Sequence, residues 1–134
     1  RKISLIQEDL VKLSELKKYS LKEIQQDFYK SATVERLLER VISRAIDINQ
    51  HLISELLPED EPPRSYKETF FKLVKLKVYP EDFAAQIAKS IGTRNILVHD
   101  YNNVDYALIY SSINDCIKDY TKYIDFVLAF LNQL

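Results

Sequence analysis

The sequence has 134 residues and a formal net charge of −1, from 19 lysines and arginines against 20 aspartates and glutamates. A chain of this length fits one domain with a single core, and a hydrophobic content of 46% with one glycine excludes a disordered chain. The near-neutral charge also excludes a protein that coats nucleic acid through bulk positive charge, so any contact with RNA must be local.

Cysteine content and apolar runs indicate where the protein works. Cys116 is the only cysteine, which excludes an intrachain disulfide and suits a reducing cytosol. The longest apolar run near the C-terminus, residues 126–131, is much shorter than the roughly 20 residues that cross a bilayer. We therefore expect a cytoplasmic protein without membrane contact. Because the chain begins with Arg1 and contains no methionine, we also expect a short segment to precede it.

Apolar periodicity predicts the helices of the first half. Spacings of three and four predict a first helix over residues 2–18. Ser20 with Glu23 has the spacing of a capping box, which restarts a helical turn. A second helix is predicted over residues 29–57. Its apolar positions cover a stripe too wide for a surface helix, so it should lie centrally and pack on more than one side.

The second half begins with another capping box, Ser65 with Glu68, which opens a short helix. Pro80 at a first helical position starts a helix over residues 80–100. Gly92 lies inside that helix, where glycine costs about 1 kcal/mol relative to alanine. We therefore expect another backbone to approach closely at this glycine.

A last long helix is predicted over residues 104–133, after Asn102 and Asn103, which interrupt the preceding helix and can cap this one. Its apolar residues recur at alternating spacings of four and three, which gives a seam against another helix. The sequence has no strand-like alternation and no internal repeat. It predicts an all-α, up-and-down bundle of four to five helices, in a single domain spanning residues 1–134.

Four polar side chains interrupt the apolar pattern near the end of the helix over residues 80–100: Arg94, Asn95, His99 and Tyr101. On a helix that turns about 100° per residue, Asn95 and His99 share one face. Arg94 and Tyr101 share the neighbouring face. Apolar residues lie between them, so we expect this polar cluster at the edge of the core.

The spelling Arg-Asn-x-x-x-His-x-Tyr, followed by a long amphipathic helix, resembles the HEPN family and specifically its HepT-like RNase toxins. The longer context RNILVHDY and the upstream segments AIDINQHLI and SYKETF also resemble this group. The resemblance covers residues 3–134. It implies a homodimeric HEPN-like bundle in the prokaryotic cytoplasm, a toxin that cleaves tRNA or mRNA and is neutralised by a minimal nucleotidyltransferase antitoxin.

RNA can be cleaved without a metal ion when its own 2′-hydroxyl attacks the neighbouring phosphate. The reaction needs a group that moves protons near neutral pH and a cation that stabilises charge on the phosphate oxygens. His99 suits the first role and Arg94 the second, while Asn95 can orient either the imidazole or the phosphate. A full acid/base pair needs two proton-transfer groups, and a two-fold dimer would bring two copies of the motif into one cleft.

The resemblance gives Tyr101 a separate role. In HepT-like toxins the tyrosine of this motif is the residue that the antitoxin modifies with AMP, and Tyr101 matches it. A nucleotide attached two residues from His99 would add bulk and negative charge where the RNA phosphate must lie. The modification would therefore block the site.

Each of these residues also has a purely structural interpretation. Arg94 suits a helix C-terminus, His99 a hydrogen bond at the rim of the core, and Tyr101 half-buried packing. Two rival functions use the same fold: a non-catalytic, tyrosine-rich substrate-binding partner of a nucleotidyltransferase, and a structural dimer that only sequesters its partner. RNA cleavage in the presence of a chelator separates these functions from a ribonuclease.

Three arginines lie four residues apart on the second predicted helix: Arg36, Arg40 and Arg44. They form either a track for RNA phosphates beside the cleft or ordinary pairs with Glu35, Glu39 or a neighbouring helix.

Asp47 and His51, one turn apart on the same helix, fit a satisfied polar contact better than a second acid/base pair. Two histidines and one cysteine without a ligand cluster exclude a metal site. We also expect no cofactor.

Overall fold

The computed structural model describes residues 1–99 and 105–134 and contains seven helices in these ranges. They are α1 (Lys2–Leu16), α2 (Leu21–Gln26), α3 (Phe28–Leu56), α4 (Tyr66–Lys75), α5 (Glu81–Ala88), α6 (Ser90–His99) and α7 (Tyr106–Asn132). No strand occurs among the described residues, which confirms the predicted all-α fold. In the same two ranges, no helix is both long and apolar enough to span a membrane.

α3 is the central helix and contacts α1, α2, α4, α6 and α7. Its buried apolar side chains extend from its first turns to its last: Val34, Leu37, Leu38, Val41, Ile42, Ala45, Ile46, Leu52 and Ile53. Such a wide apolar surface can be covered only by several neighbours. The prediction that this helix packs on more than one side is confirmed, and α3 is the surface against which α4 and α6 are positioned.

A chain of buried hydrogen bonds joins α7, α3 and α4. Tyr123 Oη donates to Asn49 Oδ1 at 2.5 Å, and Asn49 Nδ2 donates to Thr69 Oγ1 at 3.1 Å. Thr69 Oγ1 in turn donates to the carbonyl oxygen of Tyr66 at 2.6 Å. Tyr123, Asn49 and Thr69 are each at most 1% exposed. Breaking any of these hydrogen bonds would therefore leave an unpaired polar group in the core. The register of α4 on α3 is fixed in this way.

The two predicted capping boxes differ in the structure. Ser20 and Glu23 form both hydrogen bonds of the box at the start of α2. At α4, Ser65 Oγ accepts from the backbone N–H of Glu68 at 3.1 Å. The Glu68 carboxylate, however, accepts from the backbone N–H of Arg64 instead of that of Ser65. Only half of the second box is therefore present.

Two further predicted helix starts are displaced. Pro80 precedes α5 as its N-cap and is not the first helical residue. Asp105 caps α7, because its carboxylate accepts from the backbone N–H groups of the second and third residues that follow. Asn102 and Asn103, the predicted caps, lie outside the described residues. A carboxylate satisfies two orphan N–H groups at once, which favours Asp105 at this position.

The predicted helix over residues 80–100 is divided into α5 and α6 at Lys89. The N–H of Lys89 bonds to the carbonyl of Gln86, and the N–H of Gly92 bonds to that of Lys89, so the hydrogen bonds tighten to a three-residue spacing here. Ser90 Oγ donates to the carbonyl of Ile87 at 2.7 Å and lies 2.8 Å from Tyr120 Oη. These contacts hold Ser90, the first residue of α6, against α7.

The expectation that another backbone approaches Gly92 is wrong. A methyl group built at this position would have no described atom within 4 Å apart from the backbone of its own helix. The residue is exposed on α6, so no packing constraint demands a glycine.

The row of arginines on α3 is held by carboxylates. Asp9 of α1 is 1% exposed, and its Oδ2 lies 2.8 Å from Arg44 Nη1 and 3.3 Å from Arg40 Nε. Arg36 Nη1 lies 2.7 Å from Glu39 Oε2. The pairing that the sequence left open as an alternative is therefore present for all three arginines, and two of them attach α1 to α3.

Asp9→Asn should lower the free energy of unfolding by about 3 kcal/mol, because it leaves two partly buried arginines without their buried carboxylate. Urea unfolding followed by circular dichroism measures the change. Glu8→Gln, at the exposed neighbouring position, is the matched control and should stay within about 0.5 kcal/mol of the unchanged protein. Equal stability of the two variants would contradict a structural role for Asp9.

Candidate functional site

Arg94 of α6 is held by contacts with two neighbouring helices. Its Nε–H donates to Ser43 Oγ of α3 at 3.1 Å. Its guanidinium carbon lies 4.8 Å from the centroid of the Tyr66 ring at the start of α4, within the range of a cation–π contact. The half-buried side chain is therefore held by two helices other than its own.

This geometry leaves the guanidinium suited to bind an anion. The Ser43 hydroxyl occupies the Nε side of the planar group, and Tyr66 covers one of its faces. The two terminal amino groups of an arginine form the fork that matches two oxygens of a carboxylate or a phosphate. Because the contacts hold the side chain before a ligand arrives, binding would cost little rotamer entropy.

Asn95 and His99 are exposed on α6, and His99 lies in its last turn. They stand one turn apart on one face, as predicted. Arg94 and His99 are five residues apart, which on a helix means about 140° around the axis and about 7.5 Å along it. The structure therefore presents all three residues on one helix, but a single chain directs Arg94 and His99 to different sides.

Tyr101, the predicted acceptor of AMP, lies outside the described residues. Of the four residues in the predicted polar cluster, the structure describes Arg94, Asn95 and His99.

Sequence reasoning missed Ser43 and Tyr66. Ser43 is 51 residues from Arg94 along the chain, and no spacing rule connects two positions so far apart. Tyr66 belongs to the segment SYKETF, which the resemblance had singled out, so that signal pointed to the right place without giving a role. Both residues reach Arg94 because α3 packs against α4 and α6.

The carboxyl group of Glu35, a residue of α3, lies close to α6. Glu35 lines a shallow depression together with Leu97 and Val98 of α6. Burial raises the pKa of the Glu35 carboxyl above its usual range. The neighbourhood of α6 therefore contains an acid that holds its proton more strongly than an exposed glutamate.

Asp47 and His51 do not form a second acid/base pair. Asp47 Oδ2 lies 3.4 Å from Lys2 Nζ of α1, and both Asp47 and His51 are exposed. An exposed aspartate paired with a lysine has a routine surface role.

Comparison with known proteins identifies the family. The family model described as "Ribonuclease HepT-like" matches residues 6–127. The chain is 32% identical over 135 residues to the tRNA nuclease HepT of Aphanizomenon flos-aquae, covering 99% of this chain and 89% of that protein. It is 25% identical over 107 residues to the mRNA nuclease HepT of Shewanella oneidensis, covering 80% of this chain and 79% of that protein.

A solved structure has the same fold. The tri-AMPylated Shewanella oneidensis HEPN toxin in complex with its MNT antitoxin superposes with a TM-score of 0.81 and 24% identity, over 96% of this chain and 94% of that one. At this identity the likeness establishes the helical architecture alone. The family match over most of the sequence and the relative above 30% identity decide the assignment: the chain belongs to the HepT-like ribonuclease family.

Proposed function

We propose that this HepT-like ribonuclease is a toxin that cleaves RNA without a metal ion. The 2′-hydroxyl of one nucleotide attacks the adjacent phosphorus, the bond from phosphorus to the 5′-oxygen of the next nucleotide breaks, and a cyclic phosphate and a 5′-hydroxyl result. A base removes the proton of the attacking hydroxyl, and an acid protonates the leaving oxygen. The observation that carries the proposal is the Arg94 guanidinium held by Ser43 and Tyr66 on the helix that presents His99.

Arg94 stabilises the charge that gathers on the phosphate oxygens in the transition state. Stabilisation of this kind is effective when the cation is already in place, because no reorganisation is then needed during the reaction. The hydrogen bond to Ser43 and the contact with the Tyr66 ring provide that fixed position.

His99 moves the protons. Imidazole is the side chain that most often does so at neutral pH, and the exposure of His99 lets an RNA backbone reach it. Asn95, one turn earlier on the same exposed face, orients the imidazole or the phosphate through its amide.

Two chains form one site. Arg94 and His99 of one chain point to different sides of α6, and each chain supplies one histidine at this motif, whereas the reaction needs an acid and a base. A two-fold dimer brings two copies of both residues into one cleft. The exposed Val98, next to His99, adds apolar surface that such an interface would cover.

The substrate we propose is a tRNA or an mRNA, the two classes that appear in the names of the relatives. Of the three arginines proposed to contact its phosphates, Arg36 has the most exposed side chain, at 68%. Arg40 and Arg44 are engaged with Asp9, so their contribution to RNA binding would be through the local positive potential.

The activity is switched off by a minimal nucleotidyltransferase antitoxin, which adds AMP to Tyr101. The support is the modified state of the Shewanella oneidensis toxin, which is AMPylated and in complex with its MNT antitoxin. The tyrosine oxygen attacks the α-phosphorus of ATP, pyrophosphate leaves, and the phenolic proton passes to solvent. The new phosphodiester adds negative charge two residues from His99, which repels the RNA backbone.

Arg94→Ala and His99→Ala should each lower the rate of RNA cleavage about 100-fold or more, as expected for the loss of a transition-state cation or a proton-transfer group. The assay follows a labelled RNA in buffer containing EDTA, and the unchanged protein should stay active there. His51→Ala removes the other histidine, which is exposed on α3, and should cleave normally. Undiminished cleavage by His99→Ala, or loss of all activity in EDTA, would contradict the mechanism.

Mixing unchanged and His99→Ala chains tests the composite site. If cleavage needs both histidines, an equimolar mixture that has exchanged subunits should keep about one quarter of the activity, since only dimers of two unchanged chains are active. Independent sites in each chain would leave about half. Native mass spectrometry confirms that subunits have exchanged before the assay.

Tyr101→Phe should not be modified when it is incubated with the antitoxin and ATP, because the acceptor oxygen is absent. Intact-mass spectrometry measures the addition of AMP, and the variant should remain able to cleave RNA afterwards. Tyr106→Phe, a nearby tyrosine at the start of α7, is the control and should be modified normally. Equal AMP addition to Tyr101→Phe and the unchanged chain would place the modification elsewhere.

A further inference from the structure

A groove with a volume of about 460 Å³ lies where α3, the start of α4 and α6 meet. Its lining includes Tyr66, whose ring carries the Arg94 guanidinium, and Asn95, the residue that follows Arg94. The groove is therefore continuous with the proposed phosphate position. Its volume is within the roughly 300–1,000 Å³ of pockets that bind small ligands.

The chemistry of the lining suits a nucleotide. Two cations, Arg64 and Lys67, and two amides, Gln50 and Asn95, line the groove with the Tyr66 ring and other residues, and none of the described lining residues is a carboxylate. Glu61 pairs with Arg64 at 3.7 Å, but both side chains are more than 80% exposed. A pair so exposed is weak, and a phosphate can replace the carboxylate.

A groove of larger volume in the described chain is chemically different. It lies between α5 and α7, has a volume of about 580 Å³, and is lined by Asp82, Asp119 and Asp125 as well as by Lys118 and Lys122. Its three carboxylates outnumber its two lysines, so its charge disfavours a polyanion such as RNA. Size alone would favour this groove, whereas charge favours the one beside Arg94.

We propose that the groove beside Arg94 binds the nucleobase of the nucleotide adjacent to the scissile phosphate, an inference that rests on the proposed function. Tyr66 as a residue remains 42% exposed although its ring contacts Arg94, so it offers surface on which a base can stack. The Gln50 and Asn95 amides each present a donor and an acceptor, the groups that pair with base edges. Arg64 and Lys67 contact the next backbone phosphate.

This arrangement gives Tyr66 two roles. The same ring holds the guanidinium that stabilises the scissile phosphate and supports the neighbouring base. The site would then align the phosphodiester through contacts on both of its sides, which is how remote contacts contribute to orientation in a reaction. The amides would also give the enzyme a preference among bases, which phosphate contacts alone cannot supply.

The test measures binding of short 2′-fluoro oligoribonucleotides, which lack the attacking hydroxyl, by fluorescence anisotropy. Gln50→Ala should weaken binding about tenfold for the preferred base and less for the other three, because a hydrogen bond to one base edge is lost. Lys67→Ala should weaken binding of all four bases alike and reduce the salt dependence by about one phosphate contact. The matched controls are Gln26→Ala on α2 and Lys122→Ala in the groove between α5 and α7, and both should bind like the unchanged chain.

Cleavage of unmodified RNA by the same proteins separates this inference from the proposed function. Normal binding by Gln50→Ala and Lys67→Ala, with cleavage intact in the unchanged chain, would overturn the groove and leave the ribonuclease mechanism standing. Weakened binding in both variants, without cleavage by the unchanged chain, would support a nucleotide groove and contradict the proposed reaction. Circular dichroism spectra that match those of the unchanged chain show that the exposed substitutions leave the fold intact.

Discussion

The buried hydrogen bonds from Tyr123 through Asn49 to Thr69 are the constraint on which the site depends. They fix α4 on α3 in a single register, and their last link ends on the carbonyl of Tyr66. The ring of that tyrosine carries the Arg94 guanidinium. A continuous series of contacts therefore runs from the core of the bundle to the cation of the site, and a shift of α4 by one residue would remove the support of Arg94.

The positive charges of the chain are distributed between structural and functional uses. Asp9 pairs with two of the arginines on α3, and over the whole sequence 20 aspartates and glutamates slightly outnumber 19 lysines and arginines, so the formal net charge is −1. The groove beside Arg94 differs because its described lining contains two cations and no carboxylate. A protein can in this way be electrically neutral overall and still present a local surface for a polyanion.

Local patterns in the sequence predicted most of the fold. The wide apolar stripe identified α3 as central, and Ser20 with Glu23 located the start of α2, because both signals depend on neighbours within two turns. The break at Lys89 was not predicted, and the contact that accompanies it joins Ser90 to Tyr120, 30 residues away, where no local pattern reaches. The expectation at Gly92 was wrong because a glycine on an exposed helix face needs no close neighbour.

The candidate site was predictable to a similar extent. The motif located Arg94, Asn95 and His99 on one helix, because their spacing is local. Ser43 and Tyr66 belong to other helices, and only the packing of α3 against α4 and α6 brings them to Arg94. The sequence therefore predicted the helix that carries the proposed catalytic residues, but not the contacts that hold Arg94 in place.

The interruption at Lys89 has a consequence for how α6 is attached to the bundle. α6 starts at Ser90 and packs mainly against α3, whereas α5 is anchored in the core through Phe83, Ala84 and Ile87. Exchanging one or two residues at this joint would swing Arg94, Asn95 and His99 as a rigid unit, with their mutual spacing preserved. Under the proposed function, such a change would turn these side chains toward an RNA of different shape while the interior of the bundle stays as it is.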